Sequence, residues 1–257
     1  MSLRVIHTFK KVDLIAAEDT RKTQILLQHF NIKKPLLSYY DYNKKYSAEN
    51  IIKRLSAGQQ VALVSDAGTP GIADPGYFLI KQALENNIQV IPLPGPSAVI
   101  TALSAAGLAT DKFVFEGYLP RKENELKKYL NSIKPESRTL VFYEAPHRLV
   151  TSLKNIYDLL GKRNICIARE LTKKFEEIFR GSTKQALEHF KNIAPRGEFT
   201  LIISGNKETT TNIEELKPLM LDLIRAGLAK KETAKILSAH FKLSKNELYN
   251  KLLEWNK

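Results

Sequence analysis

The chain has 257 residues, 43% of them hydrophobic, which is enough for one large core or two moderate ones. Its apolar runs are strand-length, far below the roughly 20 residues of a membrane span, and the N-terminus carries no signal-peptide core; the expectation is a cytoplasmic protein with no membrane contact. One cysteine, Cys166, excludes an internal disulfide and a thiolate zinc site, and no His pair sits at ligand spacing, so no metal is expected; the net charge of +13 suits a polyanion such as RNA, and equally a lysine-rich codon bias.

Periodicity alternates between strand and helix as far as Gly205 and is helical beyond it. The apolar run 12–17 leads into Glu18 and Asp19, which suit either the cap of a following helix or a place in a site. Tyr39, Tyr40, Tyr42 and Tyr46 interleave with Asp41, Lys44 and Lys45, a cluster fit for stacking unpaired bases or for a half-buried strand end. A helix over 47–58, capped by Ser47 and stopped by Gly58, precedes a buried-type strand at 61–64. The twelve residues from Ser65 to Gly76 hold three Gly, two Pro and two Asp, far more than a simple reversal requires. A helix over 76–87, a strand over 88–93 and the loop Pro94-Gly95-Pro96-Ser97, which opens a helix through Ala106, complete the first part. Two such loops at the ends of neighbouring strands define a crevice.

A connector at 107–111 marks a boundary between an α/β domain over 1–109 and a second over 110–205. Strands are expected at 113–119, 138–145, 164–170, 176–182 and 198–205, and helices at 123–133, 147–160 and 183–190. A polar linker over 206–212 leads to a helical module over 213–257. There Asn212 caps a helix carrying Ile213, Leu216, Met220, Leu223 and Ile224, a second helix follows over 230–241, and Ser244 caps a third carrying Leu248, Leu252 and Leu253. Three short helices of this kind suit a helix-turn-helix module or a cap on the preceding domain.

The loop at 65–76 has the backbone freedom to bring several N–H groups to a ligand, while Asp66 and Asp74 accept from hydroxyl or ammonium groups. No Gly-Lys-Ser/Thr follows, as a P-loop demands, and Gly68, Gly71 and Gly76 lack the dinucleotide spacing. A cationic ligand with ribose and amino acid parts, as in S-adenosylmethionine, matches these carboxylates.

Six stretches, at 17–21 (Ala-Glu-Asp-Thr-Arg), 65–76, 94–97, 143–148 (Tyr-Glu-Ala-Pro-His-Arg), 168–173 (Ala-Arg-Glu-Leu-Thr-Lys) and 195–199 (Pro-Arg-Gly-Glu-Phe), resemble in order those of the tetrapyrrole methylase superfamily, and within it the small-subunit rRNA methyltransferases. The resemblance implies two α/β domains of the tetrapyrrole methylase type with an S-adenosylmethionine cleft between them, plus a C-terminal helix-turn-helix-like module. It also implies a homodimer that methylates the ribose 2′-hydroxyl of a decoding-centre cytidine in 16S rRNA, with the small ribosomal subunit as partner.

Carried over by position, Ser65, Asp66, Ala67, Gly68, Thr69 and Asp74, with Pro94, Gly95, Pro96, Ser97 and Ala98, bind the cofactor. The family's first strand and its Pro-x-Pro-Ile-Gly-Asn-Leu loop have no counterpart before Met1-Ser2-Leu3, where the chain starts inside the following helix. Either the start is truncated, the preferred expectation, or the protein is a natural variant; loss of the strand and loop is expected to weaken cofactor binding.

Glu18, Asp19, Glu144, His147, Glu170 and Lys173 are the catalytic candidates, and Arg21, Arg148 and Arg169 the RNA contacts. Each has a plainer reading: Glu18 and Asp19 as caps, Glu144 with Arg148 as a structural ion pair, His147 as a helix-start residue, Glu170 and Lys173 as surface charges. Two other functions stay open, a methyltransferase acting on a tetrapyrrole and a non-catalytic RNA-binding protein; the basic surface and the helical module favour the rRNA enzyme.

Overall fold

The computed structural model describes residues 1–206, 213–241 and 243–255. The chain enters through α1 (Leu3–Lys11), capped by Ser2, and continues into β1 (Leu14–Ala17), all four residues of which are buried. Helix α2 (Thr20–His29) leads to β2 (Leu36–Ser38), α3 (Lys44–Ser56) to β3 (Val61–Val64), and α4 (Tyr77–Glu85) follows the Gly/Pro loop. The three strands form a parallel sheet in the order β2-β1-β3, with Ser38, Ala17 and Val64 aligned in one row at its C-terminal edge. Connecting helices cover such a sheet on both faces, which is why β1 is apolar throughout rather than alternating.

The second sheet is mixed. It contains β4 (Phe113–Tyr118), β5 (Thr139–Glu144), β6 (Asn164–Arg169), β7 (Glu177–Ser182) and β8 (Phe199–Ile203) in the order β4-β5-β8-β6-β7. Strands β4 and β5 run parallel, whereas β8 lies antiparallel to both β5 and β6. One face is packed by α6 (Glu123–Ser132), α7 (Leu149–Leu160) and α8 (Thr183–Lys191), through a core that includes Leu126, Leu130, Phe142, Leu153, Ile156, Phe190 and Leu201. Each such side chain contributes about 1.5–3 kcal/mol by leaving water. The other face is covered by α5 (Ala98–Ala106), whose Val99, Ala102, Leu103 and Ala106 meet Val141, Cys166, Ala168 and Ile202.

Helix α5 therefore lies before the connector at 107–111 in sequence but packs on the second sheet. Arg180 of β7 reinforces the docking, its guanidinium donating to the Ala105 carbonyl near the end of α5.

Two local expectations are corrected. Residues 88–93 form no strand: β3 pairs only with β1, so the run has no ladder partner, and Val90 and Ile91 stay exposed. A β-prone run becomes a strand only where a neighbour supplies hydrogen bonds. Helix α3 begins at Lys44, before Ser47, which is buried and donates its hydroxyl to the Ser38 carbonyl instead of capping. Strand β2, three residues long, is too short to show a period.

Beyond the linker, a 3₁₀ turn at Ile213–Leu216 precedes α9 (Lys217–Arg225), α10 (Lys230–Phe241) and α11 (Lys245–Trp255). Residues 207–212, with the expected Asn212 cap, lie outside the described residues. Leu216, Met220, Ala234, Leu237, Leu248 and Leu252 make a core of the module's own, and Ser244 caps α11 through the Glu247 N–H as expected. Leu253, expected on the apolar stripe, is exposed because the buried face of α11 is already filled by Leu248 and Leu252. Among the described residues no helix is long and apolar enough to cross a membrane.

Candidate active site

The parallel sheet delivers three loops to one edge. After β1, the Glu18 N–H continues the ladder to the Val64 carbonyl, and the Glu18 carboxylate accepts from the Asp66 N–H at 3.1 Å. Asp66 reciprocates, accepting from the Asp19 N–H at 3.1 Å and from Lys22 Nζ at 2.6 Å. Asp19 caps α2 through the Arg21 N–H and holds the Arg21 guanidinium; these hydrogen bonds push its carboxyl down to about 2. The plainer reading of Asp19 as a cap is thus realised, and Glu18, Asp19, Lys22 and Asp66 form a lattice that ties the ends of β1 and β3 together.

The loop that follows is folded back on itself. Gly68 and Gly71 have φ of +71° and +84°, a region costly for side-chain-bearing residues. At Gly76 the constraint is proximity: a Cβ there would stand 2.6 Å from the Gly71 backbone nitrogen. This packing sets Asp74 inward, close to Ser65, and burial raises its carboxyl above the ordinary range, with the charges of Glu18, Asp66 and Glu198 adding to the shift. The second loop, 94–97, ends at Ser97, whose hydroxyl caps α5 by accepting from the Ile100 N–H.

The opposite wall comes from the second sheet. A bulge in β4, with Gly117 at φ +67°, shifts the register so that Tyr118 pairs with Tyr143 of β5, their ring centroids 5.6 Å apart; Phe115 backs Tyr143 at 5.0 Å. The Tyr143 hydroxyl lies against the Val99 N–H in the first turn of α5, joining the second loop to this wall. Burial raises both tyrosine hydroxyls, and Asp74 and Glu198 raise them further, so these groups share one cleft.

The third cluster stands at the end of β6. Lys173 Nζ donates to Glu170 at 2.9 Å and to Glu198 at 3.1 Å, and Glu170 also accepts from the Glu198 N–H at 2.9 Å. The ion pairing raises the Lys173 ammonium and lowers the Glu170 carboxyl. Glu170 and Thr172 hold positive φ, 48° and 65°, and Gly197 at φ +91° leaves the space that the Glu170 side chain fills. Strain of this kind concentrates at functional positions.

The remaining candidates are placed elsewhere. Glu144 is 1% exposed, its carboxylate accepting from Ser152 and from the Ala145 N–H, with Arg148 at 3.5 Å. Arg148 donates to the Leu119 and Pro120 carbonyls, which fixes the turn after β4. Arg169 is likewise engaged, by Glu177 and the Arg196 carbonyl, whereas Arg21 and His147 are exposed. Sequence reasoning did not single out Tyr118, Tyr143 or Glu198; the last two lie in stretches already marked by resemblance, and Gly117 beside Tyr118 was the available signal for a bulge.

The tetrapyrrole (corrin/porphyrin) methylase family model matches residues 1–187. The chain is 44% identical over 258 residues to ribosomal RNA small subunit methyltransferase I of Synechocystis sp., covering 99% of this chain and 92% of that protein. It is also 44% identical to the protein of the same name from Escherichia coli O157:H7 over 254 residues, 98% of this chain and 89% of the relative. Among solved structures, uroporphyrin-III C-methyltransferase of Thermus thermophilus, complexed with S-adenyl homocysteine, superposes with a TM-score of 0.54 at 15% identity, covering 79% of this chain and 90% of its own. The two sheets, the folded glycine loop and 44% identity across nearly the whole of this chain agree: the chain belongs to the tetrapyrrole methylase family and, within it, to the ribosomal RNA small subunit methyltransferase I group.

Proposed function

We propose that this chain is an S-adenosylmethionine-dependent methyltransferase of small-subunit ribosomal RNA, and that its acceptor is the ribose 2′-hydroxyl of a cytidine in the decoding centre of 16S rRNA. The observation that carries the reading is near-complete alignment, at 44% identity, with proteins named for methylation of small-subunit rRNA. A tetrapyrrole substrate is less well supported, because the solved tetrapyrrole enzyme shares the fold at only 15% identity. Exposed Ile25, Tyr77, Leu84 and Ile91 accord with burial in a homodimer, and a cytoplasmic location follows from the rRNA substrate.

The residues present fit the cofactor. A sulfonium carries positive charge, and the cleft sets Asp74, raised by burial and then by the neighbouring carboxylates, near Tyr118 and Tyr143; both carboxylates and aromatic faces favour a cation. Ser65, Asp66, Ala67, Gly68, Thr69 and Asp74 of the first loop, and Pro94, Gly95, Pro96, Ser97 and Ala98 of the second, hold it in this reading. When bound, S-adenosylmethionine supplies an electrophilic methyl group and leaves as a neutral thioether.

The protein's part is alignment and exclusion of water. The Glu18–Asp66 lattice fixes the floor of the first loop, and Tyr118 with Tyr143 closes the far side. Lys173, kept protonated by Glu170 and Glu198, steadies the negative charge that grows on the 2′-oxygen, while the Glu170 carboxylate takes the hydroxyl proton. Arg21, exposed beside the lattice, contacts a backbone phosphate.

The test incubates the chain with methyl-tritiated S-adenosylmethionine and small ribosomal subunits lacking the modification, followed by nucleoside analysis of the 16S rRNA. Label in 2′-O-methylcytidine is expected, with Lys173→Met lowering kcat about 10²–10⁴-fold at little change in cofactor affinity. Transfer to a porphyrinogen, with none to RNA, refutes the reading.

A further inference from the structure

The tyrosine-rich segment that runs from the end of β2 into the first turn of α3 is not part of the cleft. Tyr42 is 98% exposed and Tyr46 78%, and Tyr40 and Tyr42 lie tilted together with ring centroids 6.4 Å apart. Asp41, Tyr42, Asn43, Lys44, Lys45 and Tyr46 line a shallow hollow of about 290 Å³. Large aromatic rings left in water gain most when a partner covers them.

The segment is held by its own hydrogen bonds. The Tyr40 N–H donates to Asn43 Oδ1 at 2.8 Å, Asn43 and Ser47 both donate to the Ser38 carbonyl at 3.1 Å, and Lys44 pairs with Asp41 at 3.1 Å. It is also tied to the cleft. Tyr39 is 1% exposed, and its hydroxyl accepts from the Leu79 N–H in the first turn of α4, directly after the folded glycine loop. Ser38, Ala17 and Val64 occupy one row of the sheet, so β2 delivers the tyrosines about 10 Å, two strand spacings, from where β3 delivers Ser65.

From the rings, the neighbouring cations and this placement, we infer that Tyr40, Tyr42 and Tyr46 with Lys45 form a stacking platform for unpaired RNA bases flanking the methylated nucleotide. Rings of this kind stack on any base, and Lys45, exposed and without an ion pair among the described residues, neutralises a phosphate between them. The inference rests on the RNA-methyltransferase reading for the identity of its ligand. A nearly fully exposed ring adds little to the fold, so its removal tests binding separately from stability.

The experiment measures anisotropy of a fluorescein-labelled, mixed-sequence single-stranded oligoribonucleotide, with small ribosomal subunits assayed in parallel and S-adenosylmethionine affinity measured by calorimetry. Tyr42→Ala is expected to weaken oligoribonucleotide binding roughly 5- to 150-fold, the range for loss of one stacked base, with cofactor affinity and Tm unchanged. Tyr42→Phe retains binding, since stacking needs the ring and not the hydroxyl. Lys45→Ala lowers the salt dependence by about 0.7 in log–log slope. Wild-type RNA affinity in a Tyr42→Ala/Tyr46→Ala variant overturns the inference, as does a Tyr42→Phe defect equal to that of Tyr42→Ala. A loss confined to intact subunits and absent on naked RNA also overturns it, assigning the patch to a ribosomal protein. Tyrosine-dependent RNA binding in a wild-type protein that transfers no methyl group leaves the platform standing and refutes the methyltransferase reading. Full methylation at wild-type KM by the double variant does the reverse.

Discussion

Replacing Gly76 with alanine tests whether the fold-back of the first loop shapes the cofactor cleft. The added Cβ would stand 2.6 Å from the Gly71 nitrogen, 3.1 Å from its Cα and 3.1 Å from the Pro70 carbonyl carbon. All three neighbours are backbone, so no side chain can swing aside. Ordinary contact begins at 3.4 Å, so the two halves of the loop must part by about 0.8 Å. With φ at 164°, Gly76 lies outside the left-handed region, and the added Cβ acts sterically. Overpacking of this kind costs about 1–3 kcal/mol. For a chain of this size that lowers Tm by roughly 2–12 °C. The parting moves Asp74 relative to Tyr118 and Tyr143, and a displacement near 1 Å costs about 10²-fold in rate. Calorimetric titration with S-adenosylmethionine, initial rates on small subunits and a thermal melt read out the three effects. Gly95→Ala, with nothing within 4 Å of its Cβ, is the control for folding and leaves Tm unchanged. If Gly76→Ala binds cofactor and melts like the wild type, the Gly71–Gly76 contact does not shape the cleft.

Further outcomes follow from the electrostatics. The Asp74 carboxyl is raised by burial and by Glu18, Asp66 and Glu198, so its ionised form destabilises the free protein at neutral pH. Asp74→Asn should therefore melt higher than the wild type at pH 7, an advantage that vanishes below about pH 4, where the unfolded chain is protonated too, while cofactor affinity falls; equal melting at pH 7 would contradict the raised value. Wild-type affinity for the cationic cofactor should weaken as acidification protonates this carboxyl. At Glu144, buried with Ser152 and Arg148, substitution by alanine should cost about 2–5 kcal/mol. Glu144→Gln should keep most of the activity, since this group positions the β5 turn; loss of turnover at native Tm would instead make it catalytic.

Much of this protein is legible locally. Apolar runs and caps place β3, α5, β6 and α10 within a residue or two, because the period of burial and the chemistry of helix ends act over a few neighbours. The Ser65–Gly76 loop stands out for the same reason, since glycine and proline at that density answer only to local backbone demands. Tertiary structure decided the rest. The run at 88–93 has strand chemistry but no neighbour to bond with, α5 crosses to the second sheet, and Glu144, in a stretch marked for catalysis, is enclosed by Ser152 and Arg148. Tyr118, Tyr143, Glu198 and Asp74 gather from positions far apart in the chain because the bulge in β4 and the antiparallel run of β8 bring them there. Ladder partners, burial and the charges that shift a carboxyl depend on what the topology sets alongside each residue, and that information is not carried by any short window of sequence.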